Sequence, residues 1–138
     1  MANTNVEVVQ SALQVVFSEH HLNRIDEFFS PDFVQHSPYA NPGGRDELRR
    51  WWAGIVAAIP DVTTTVEQIL GAGDRVATFR TVHGTIRHDL DAFGIKGNGQ
   101  EVTFRVADIF TVQAGQITAH WEVADTGPLV QLAAVGVR

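Results

Sequence analysis

The run Val102-Thr-Phe-Arg-Val-Ala-Asp-Ile-Phe-Thr-Val112, followed by Gln113-Ala-Gly115 and Gln116-Ile-Thr-Ala-His-Trp-Glu-Val-Ala-Asp125, reads as a β-hairpin with acids set among apolar residues. Strand side chains alternate between faces, so Val102, Phe104, Val106, Asp108, Phe110 and Val112 share one side. Asp108 is the only polar residue among them. Burying an isolated carboxylate is costly unless it is paired, hydrogen-bonded or protonated, and a polar pocket in the core is the simplest reason for an acid here.

The turn decides which residues of the second strand join that face. A three-residue loop Gln113-Ala114-Gly115, with Gly115 in the left-handed region, sets Thr118, His120, Glu122 and Ala124 beside Asp108. A two-residue turn at Ala114-Gly115 would instead bring Trp121 opposite Asp108 and send His120 and Glu122 to the far side of the sheet. A glycine in the third loop position favours the longer loop, so Asp108, His120 and Glu122 are expected to converge.

Working outward, strands are expected at about Thr63 to Leu70, Arg75 to Thr85, Glu101 to Val112 and Gln116 to Asp125, with Gly71-Ala-Gly-Asp74 as a hairpin loop. Upstream, Val6, Val9, Leu13, Val16 and Phe17 recur at helical spacing and predict a first helix to about His20. A short helix around Asn23 to Phe29 is stopped by Ser30-Pro31, and Asp32-Phe-Val-Gln-His36 reads as a short strand before Ser37-Pro38. Leu48, Trp51, Trp52, Ile55 and Ile59 mark a third helix from Arg45 to Ile59, ended by Pro60-Asp61. The Gly-rich segment Ile86 to Gln100 reads as a loop at a pocket mouth. Helices followed by an antiparallel meander make an α+β domain in which one sheet curls around the helices.

The 138 residues fit a single domain spanning 1–138, large enough to bury roughly 70% of the surface of its unfolded chain and still enclose a cavity. A net charge of −6 with only ten scattered Lys and Arg residues argues against a nucleic-acid partner. No Cys is present, which removes disulfides, thiolate zinc sites and a Cys nucleophile. The N-terminus carries neither a signal-peptide pattern nor a membrane span, so a cytoplasmic location is expected by elimination.

The order of elements, with His36-Ser-Pro38, Gly44-Arg45, Gly73-Asp-Arg-Val76, Gly84-Thr85, Asp108-Ile-Phe, Gly115-Gln-Ile, His120-Trp-Glu and Asp125, resembles the SnoaL-like polyketide cyclases of the nuclear-transport-factor-2-like superfamily. The resemblance implies a cone-shaped α+β barrel, with a curved antiparallel sheet wrapped around N-terminal helices. It also implies a homodimer through the outer sheet face, where Trp121 and Ile109 would sit. The superfamily further holds ketosteroid isomerase, scytalone dehydratase, limonene-epoxide hydrolase and non-catalytic binding domains, so fold alone does not select a reaction. Glu122 is similar to the position where the cyclases and the epoxide hydrolase keep an acid–base Asp. Asp108 is similar to a pocket His of the cyclases and to the protonated oxyanion-hole Asp of ketosteroid isomerase. His36 falls near the isomerase base, but no Tyr in the first helix completes that enzyme's oxyanion hole.

Facing carboxylates on adjacent strands would lie roughly 5 Å apart, which raises at least one pKa and divides them into an acid and a base. The competing structural reading pairs one acid with Arg105, Arg80 or His120. Asp108, Glu122, His36 and His120 are therefore the catalytic candidates, with Tyr39, Trp52, His83, Phe104 and Phe110 as substrate-binding candidates. Trp51 and Trp52 point about 100° apart on a helix, so one is expected to pack while the other roofs the pocket. A metal site from His36, His120 and Asp108 lacks ligand spacing on any one element, and none is expected. The expected function is a cofactor-independent acid–base enzyme acting on a small, largely apolar carbonyl, enol or epoxide compound, with the neutral acid donating and the charged one, or His36, abstracting a proton. Cyclisation, isomerisation and hydration all fit. The alternatives are a limonene-epoxide type hydrolase, which needs an Asp–Arg–Asp relay for which Arg105 is on the wrong face, and a non-catalytic ligand-binding dimer.

Overall fold

The structure is a computed structural model describing residues 4–36 and 43–136. The N-terminal apolar spacing forms α1 (Thr4–Ala12), which continues as a wider π-helical stretch, Leu13–Ser18, and buries Val9, Ala12, Leu13, Val16 and Phe17. After a single helical turn at Leu22–Arg24 come α2 (Ile25–Phe28) and β1 (Phe29–His36). The strand thus begins before Ser30-Pro31 rather than after it. Proline is tolerated here because β1 is an edge strand, where a missing N–H breaks no ladder bond.

Helix α3 (Arg45–Ala58) buries Leu48, Trp52, Ile55 and Ala58 along one face. Glu47 Oε2 accepts the Gly44 N–H at 2.9 Å, and acids Asp46 and Glu47 in the first turn suit the helix dipole. The chain then runs through β2 (Thr63–Ala72), β3 (Arg75–Ile86), β4 (Gln100–Gln113) and β5 (Gln116–Ala124). These four form an antiparallel meander, and β1 adds parallel to β5, giving the order β1-β5-β4-β3-β2 in a curved sheet left open at β1 and β2. A C-terminal helix not expected from the sequence pattern, α4 (Gly127–Gly136), follows β5 and packs on β4. Its Leu129 is buried, and Pro128 occupies the first turn, where the lost N–H costs nothing.

The decisive hairpin turns differently from expectation. Gln113 pairs with Gln116, so only Ala114 and Gly115 form the turn, both at positive φ, 51° and 78°. This is the turn that should have swung His120 and Glu122 away. A β-bulge prevents it: Val112 pairs with Ile117 but Thr111 with Ala119, leaving Thr118 as an extra residue on β5. Asp108 therefore faces Glu122, and Phe110 faces His120. The bulge supplies the one-residue offset that the three-residue loop was expected to supply.

The segment between β3 and β4 is a folded loop, with a turn at Asp91–Phe93 and a bridge between Leu90 and Ile95. Asp89 Oδ1 accepts the Gly97 N–H at 3.0 Å. Leu90 and Ile95 are buried, while Phe93 meets Trp51 edge-on at 6.2 Å between ring centroids. Among the described residues no helix is long and apolar enough to cross a membrane.

Candidate active site

The inner faces of β3, β4 and β5 bring Thr78, Arg80, Asp108, His120 and Glu122 together. Register does this directly: Thr78 pairs with Asp108, and Asp108 with Glu122. Asp108 is 3% exposed, Arg80 5% and His120 4%. Asp108 Oδ2 accepts from Thr78 Oγ1 at 2.7 Å and from Arg80 Nε at 2.8 Å, and its Oδ1 accepts from Arg80 Nη2 at 3.1 Å and His120 Nε2 at 2.7 Å. The arginine fork is bidentate, the strongest geometry for such a pair.

Burial alone would push the Asp108 carboxyl up, but the Arg80 charge, with hydrogen bonds from His120 and Arg80, outweighs it and holds the group far below the usual carboxylate range. Asp108 is therefore an anion. For Arg80, burial favours the neutral form, yet Asp108 and then Glu122 keep it cationic and its pKa raised. A carboxylate only accepts, so His120 donates to it from Nε2. Gln35 Oε1 lies 2.7 Å from the other ring nitrogen, Nδ1, and Phe110 stacks on the imidazole at 4.3 Å with planes 2° apart. The ring is thus held on three sides.

Glu122 stands differently. Its Oε2 is 3.4 Å from Arg80 Nη2 and 4.0 Å from His120 Nε2, and its side chain retains 14% exposure. Arg80 and Glu122, with Trp51 and Trp52, line two adjoining cavities of about 50 Å³ and 30 Å³. The larger is walled by apolar residues including Ile55, Phe93, Phe104 and Leu129. The smaller runs under the π-helical stretch, at Leu13 and Phe17, to Gln35, Phe110 and His120. A carboxylate and a guanidinium thus meet an otherwise greasy space.

Of the expected site residues, Asp108, Glu122, His120, Trp52, Phe104 and Phe110 come together around these cavities. His36 does not. It pairs with Trp121 in register and stacks on it at 4.7 Å on the outer face, because the alternation of β1 turns Gln35, not His36, toward His120. His83 is exposed at an odd position of β3, and its Nδ1 lies 2.7 Å from Thr103 Oγ1, outside the cavity. Strand alternation thus places His36 and His83 away from these two cavities. Tyr39 lies outside the described residues.

From sequence, Arg80 is expected only as a structural partner of one acid, and nothing singles out Gln35 or Thr78. Val76, Thr78, Arg80 and Val82 repeat on β3 the alternation that singled out Asp108 on β4, so the same signal was present for Arg80. Arg105, the other candidate partner, is exposed. Asp108, His120 and Glu122 each offer a ligand-type atom within 4.8 Å of the others. The cation at their centre is Arg80, which would repel a metal ion placed there.

The family model for SnoaL-like polyketide cyclases matches residues 7–132. AclR from Streptomyces galilaeus, named as a candidate hydroxylase, superposes with a TM-score of 0.83 at 22% identity, over 97% of this chain and 98% of that one. IdmH from Streptomyces antibioticus, named as a candidate polyketide cyclase, gives 0.82 at 24% identity, over 96% and 99%. A SnoaL-like polyketide cyclase from Agrobacterium tumefaciens gives 0.75 at 18%, over 95% and 98%. At these identities the likeness is one of fold. No curated protein sequence matches the chain significantly.

Proposed function

The chain belongs to the SnoaL-like polyketide cyclase family, and from that premise we propose that it is a cofactor-independent acid–base enzyme of the cyclase type, acting on a small, largely apolar carbonyl or enol compound such as a polyketide-like intermediate. The observation that carries this reading is the position of Glu122, a carboxylate on the wall of an apolar cavity with the Arg80 guanidinium 3.4 Å away. Glu122 removes a proton from the carbon beside a carbonyl. The enolate carbon then attacks a second carbonyl, forming a C–C bond, and the resulting alkoxide takes the proton back from Glu122. The positive charge of Arg80 stabilises each oxyanion as it develops. Asp108, ionised and fully engaged, positions Arg80 and His120 instead of donating a proton. A base placed in this way contributes roughly 10²–10⁴ in rate.

The test is proton exchange. Aryl 1,3-diketones incubated in heavy water should lose their α-proton signal faster with the protein than without, and Glu122→Gln should abolish the acceleration. Equal acceleration by the variant refutes the assignment.

A second reading, hydration of an epoxide, is favoured by one observation: Arg80 stands between two carboxylates, Asp108 and Glu122, in the acid–arginine–acid order that a relay of this kind needs. There Glu122 would activate a water. Incorporation of ¹⁸O from water into a diol product would support that reaction over cyclisation.

The homodimer implied by the resemblance would use the outer sheet face, where Phe79, Ile109, Trp121 and Val123 are exposed. Light scattering of the wild type and of Ile109→Lys tests it, a dimer becoming a monomer being the expected result.

A further inference from the structure

The two cavities that Glu122 and Arg80 line, of about 50 Å³ and 30 Å³, are large enough for a few water molecules. Sites that take small organic ligands run to roughly 300–1,000 Å³. A space of that size lies next to them: a groove of about 310 Å³ between α3 and the β3–β4 loop, walled by Arg50, Trp51, Gly54, Ile55, Asp89 and Leu90 among others. Among the described residues Trp51 alone lines the groove and both cavities. It is half-buried, and its one ring contact there is edge-on with Phe93, itself half-exposed, at 6.2 Å. Trp52, by contrast, is 7% exposed and wedged against Phe17 at 5.1 Å.

Gly54 leaves the flank of the Trp51 indole open. Helical side chains lean back over the preceding turn, so a side chain at position 54 would cover residue 51. None is there, and a methyl group at that position would touch nothing within 4 Å. A glycine in the interior of a helix is costly, and α3 carries this one on the side that faces the groove. We propose that Trp51 is the gate between the groove and the site: with its indole displaced, the three spaces become one, and the site takes an elongated, largely apolar compound. The reacting carbonyl reaches Glu122 and Arg80, while the distal end stays in the groove beside Arg50 and Asp91. This rests on the reading of Glu122 and Arg80 as the reacting groups. Length is thereby selected, because a compound that ends at Trp51 forgoes the contacts of the groove.

The probe is naphthoylacetone, a diketone with a bicyclic tail. The reporters are the three tryptophans, Trp51, Trp52 and Trp121, whose indole N–H signals in a ¹H–¹⁵N spectrum are assigned by replacing each with Phe. Trp52 lines the two cavities but not the groove, and Trp121 lies on the outer sheet face, stacked on His36. Titration of the wild type is expected to move Trp51 and Trp52 together and to leave Trp121 in place. Gly54→Leu sets a side chain over the indole and is expected to weaken the probe about tenfold or more. It should melt no lower than wild type, since leucine suits an exposed helix position. Movement of Trp51 without Trp52 leaves the ligand in the groove alone and overturns the proposal. So does movement of neither at millimolar concentration, or undiminished binding by Gly54→Leu. Because the shifts are read on wild-type protein, poor folding of the variant does not remove the test. Proton exchange that depends on Glu122, together with any of these failures, sinks the gate and leaves the acid–base reading standing. Joint movement of Trp51 and Trp52 without such exchange sinks that reading and keeps the gate.

Discussion

Asp108 and Glu122 are direct register partners across β4 and β5, yet they stand in opposite surroundings. Asp108 is sealed beneath Thr78, Arg80 and His120, while Glu122 faces the cavity from the far side of the same guanidinium. Two acids expected to divide acid and base work between them are instead divided by burial and by which of them holds the arginine.

Their amide variants should fail in different ways. Glu122→Gln should lower turnover by roughly 10²–10⁴ while its melting temperature stays within a few degrees of wild type. Asp108→Asn leaves Arg80 buried without its anion, and breaking a buried pair costs about 3–5 kcal/mol. Thermal melts beside turnover assays separate the two, and a stable, inactive Asp108→Asn would contradict the division of roles.

Acid sensitivity should follow Asp108. Its folded carboxyl titrates well below the ordinary range, whereas the unfolded one takes up a proton near pH 4, about 3.9 for a free Asp. The unfolded chain is thus protonated first as pH falls. The stabilisation is complete above about pH 4 and is lost progressively below it, toward the folded value. Urea midpoints between about pH 2 and 5 should fall steeply for wild type and much less for Asp108→Asn; parallel curves would refute the linkage. Some slope will remain from Asp61, whose carboxyl is held low chiefly by the Thr85 backbone N–H.

Arg80 and Asp108 should be worth more for placement than for stability. Arg80→Met strands the Asp108 anion and should destabilise by about 3–5 kcal/mol. Adding Asp108→Leu removes the stranded charge and should recover most of that loss, while proton exchange stays absent. Urea unfolding of the single and double variants is the measurement, and additive losses would show that the two residues act independently and would refute the stranded-charge argument.

Ala114 occupies the left-handed region at φ 51° without the tolerance of glycine or asparagine. Two-residue hairpin turns of this hand favour Asn-Gly, and Gly115 already follows. Ala114→Asn should stabilise by about 0.5–1 kcal/mol and raise the melting temperature by a few degrees, with activity unchanged. No gain would mean that the turn is not of this type.

Much of this protein follows from local pattern. Period-two alternation on β4 marked Asp108 as an anomaly, helical spacing marked α1 and α3, and the pairing of Asp108 with Glu122 and His120 was anticipated, though through a loop that is not there. These features are legible because alternation and helical period are properties of a few consecutive residues. What escaped depends on contacts between distant segments. The parallel register of β1 on β5 chooses Gln35 over His36 for the interior, the bulge at Thr118 restores the face of Glu122, and the curved sheet carries Arg80 of β3 between two acids of β4 and β5. A one-residue change in register reverses every side chain of a strand, and only the packed sheet selects the register. The sequence by itself determined the alternation that sets Asp108 among apolar residues and the helical spacing of α1 and α3. The tertiary structure decided which side chains meet, and that Asp108 is the anchored anion while Glu122 faces the cavity.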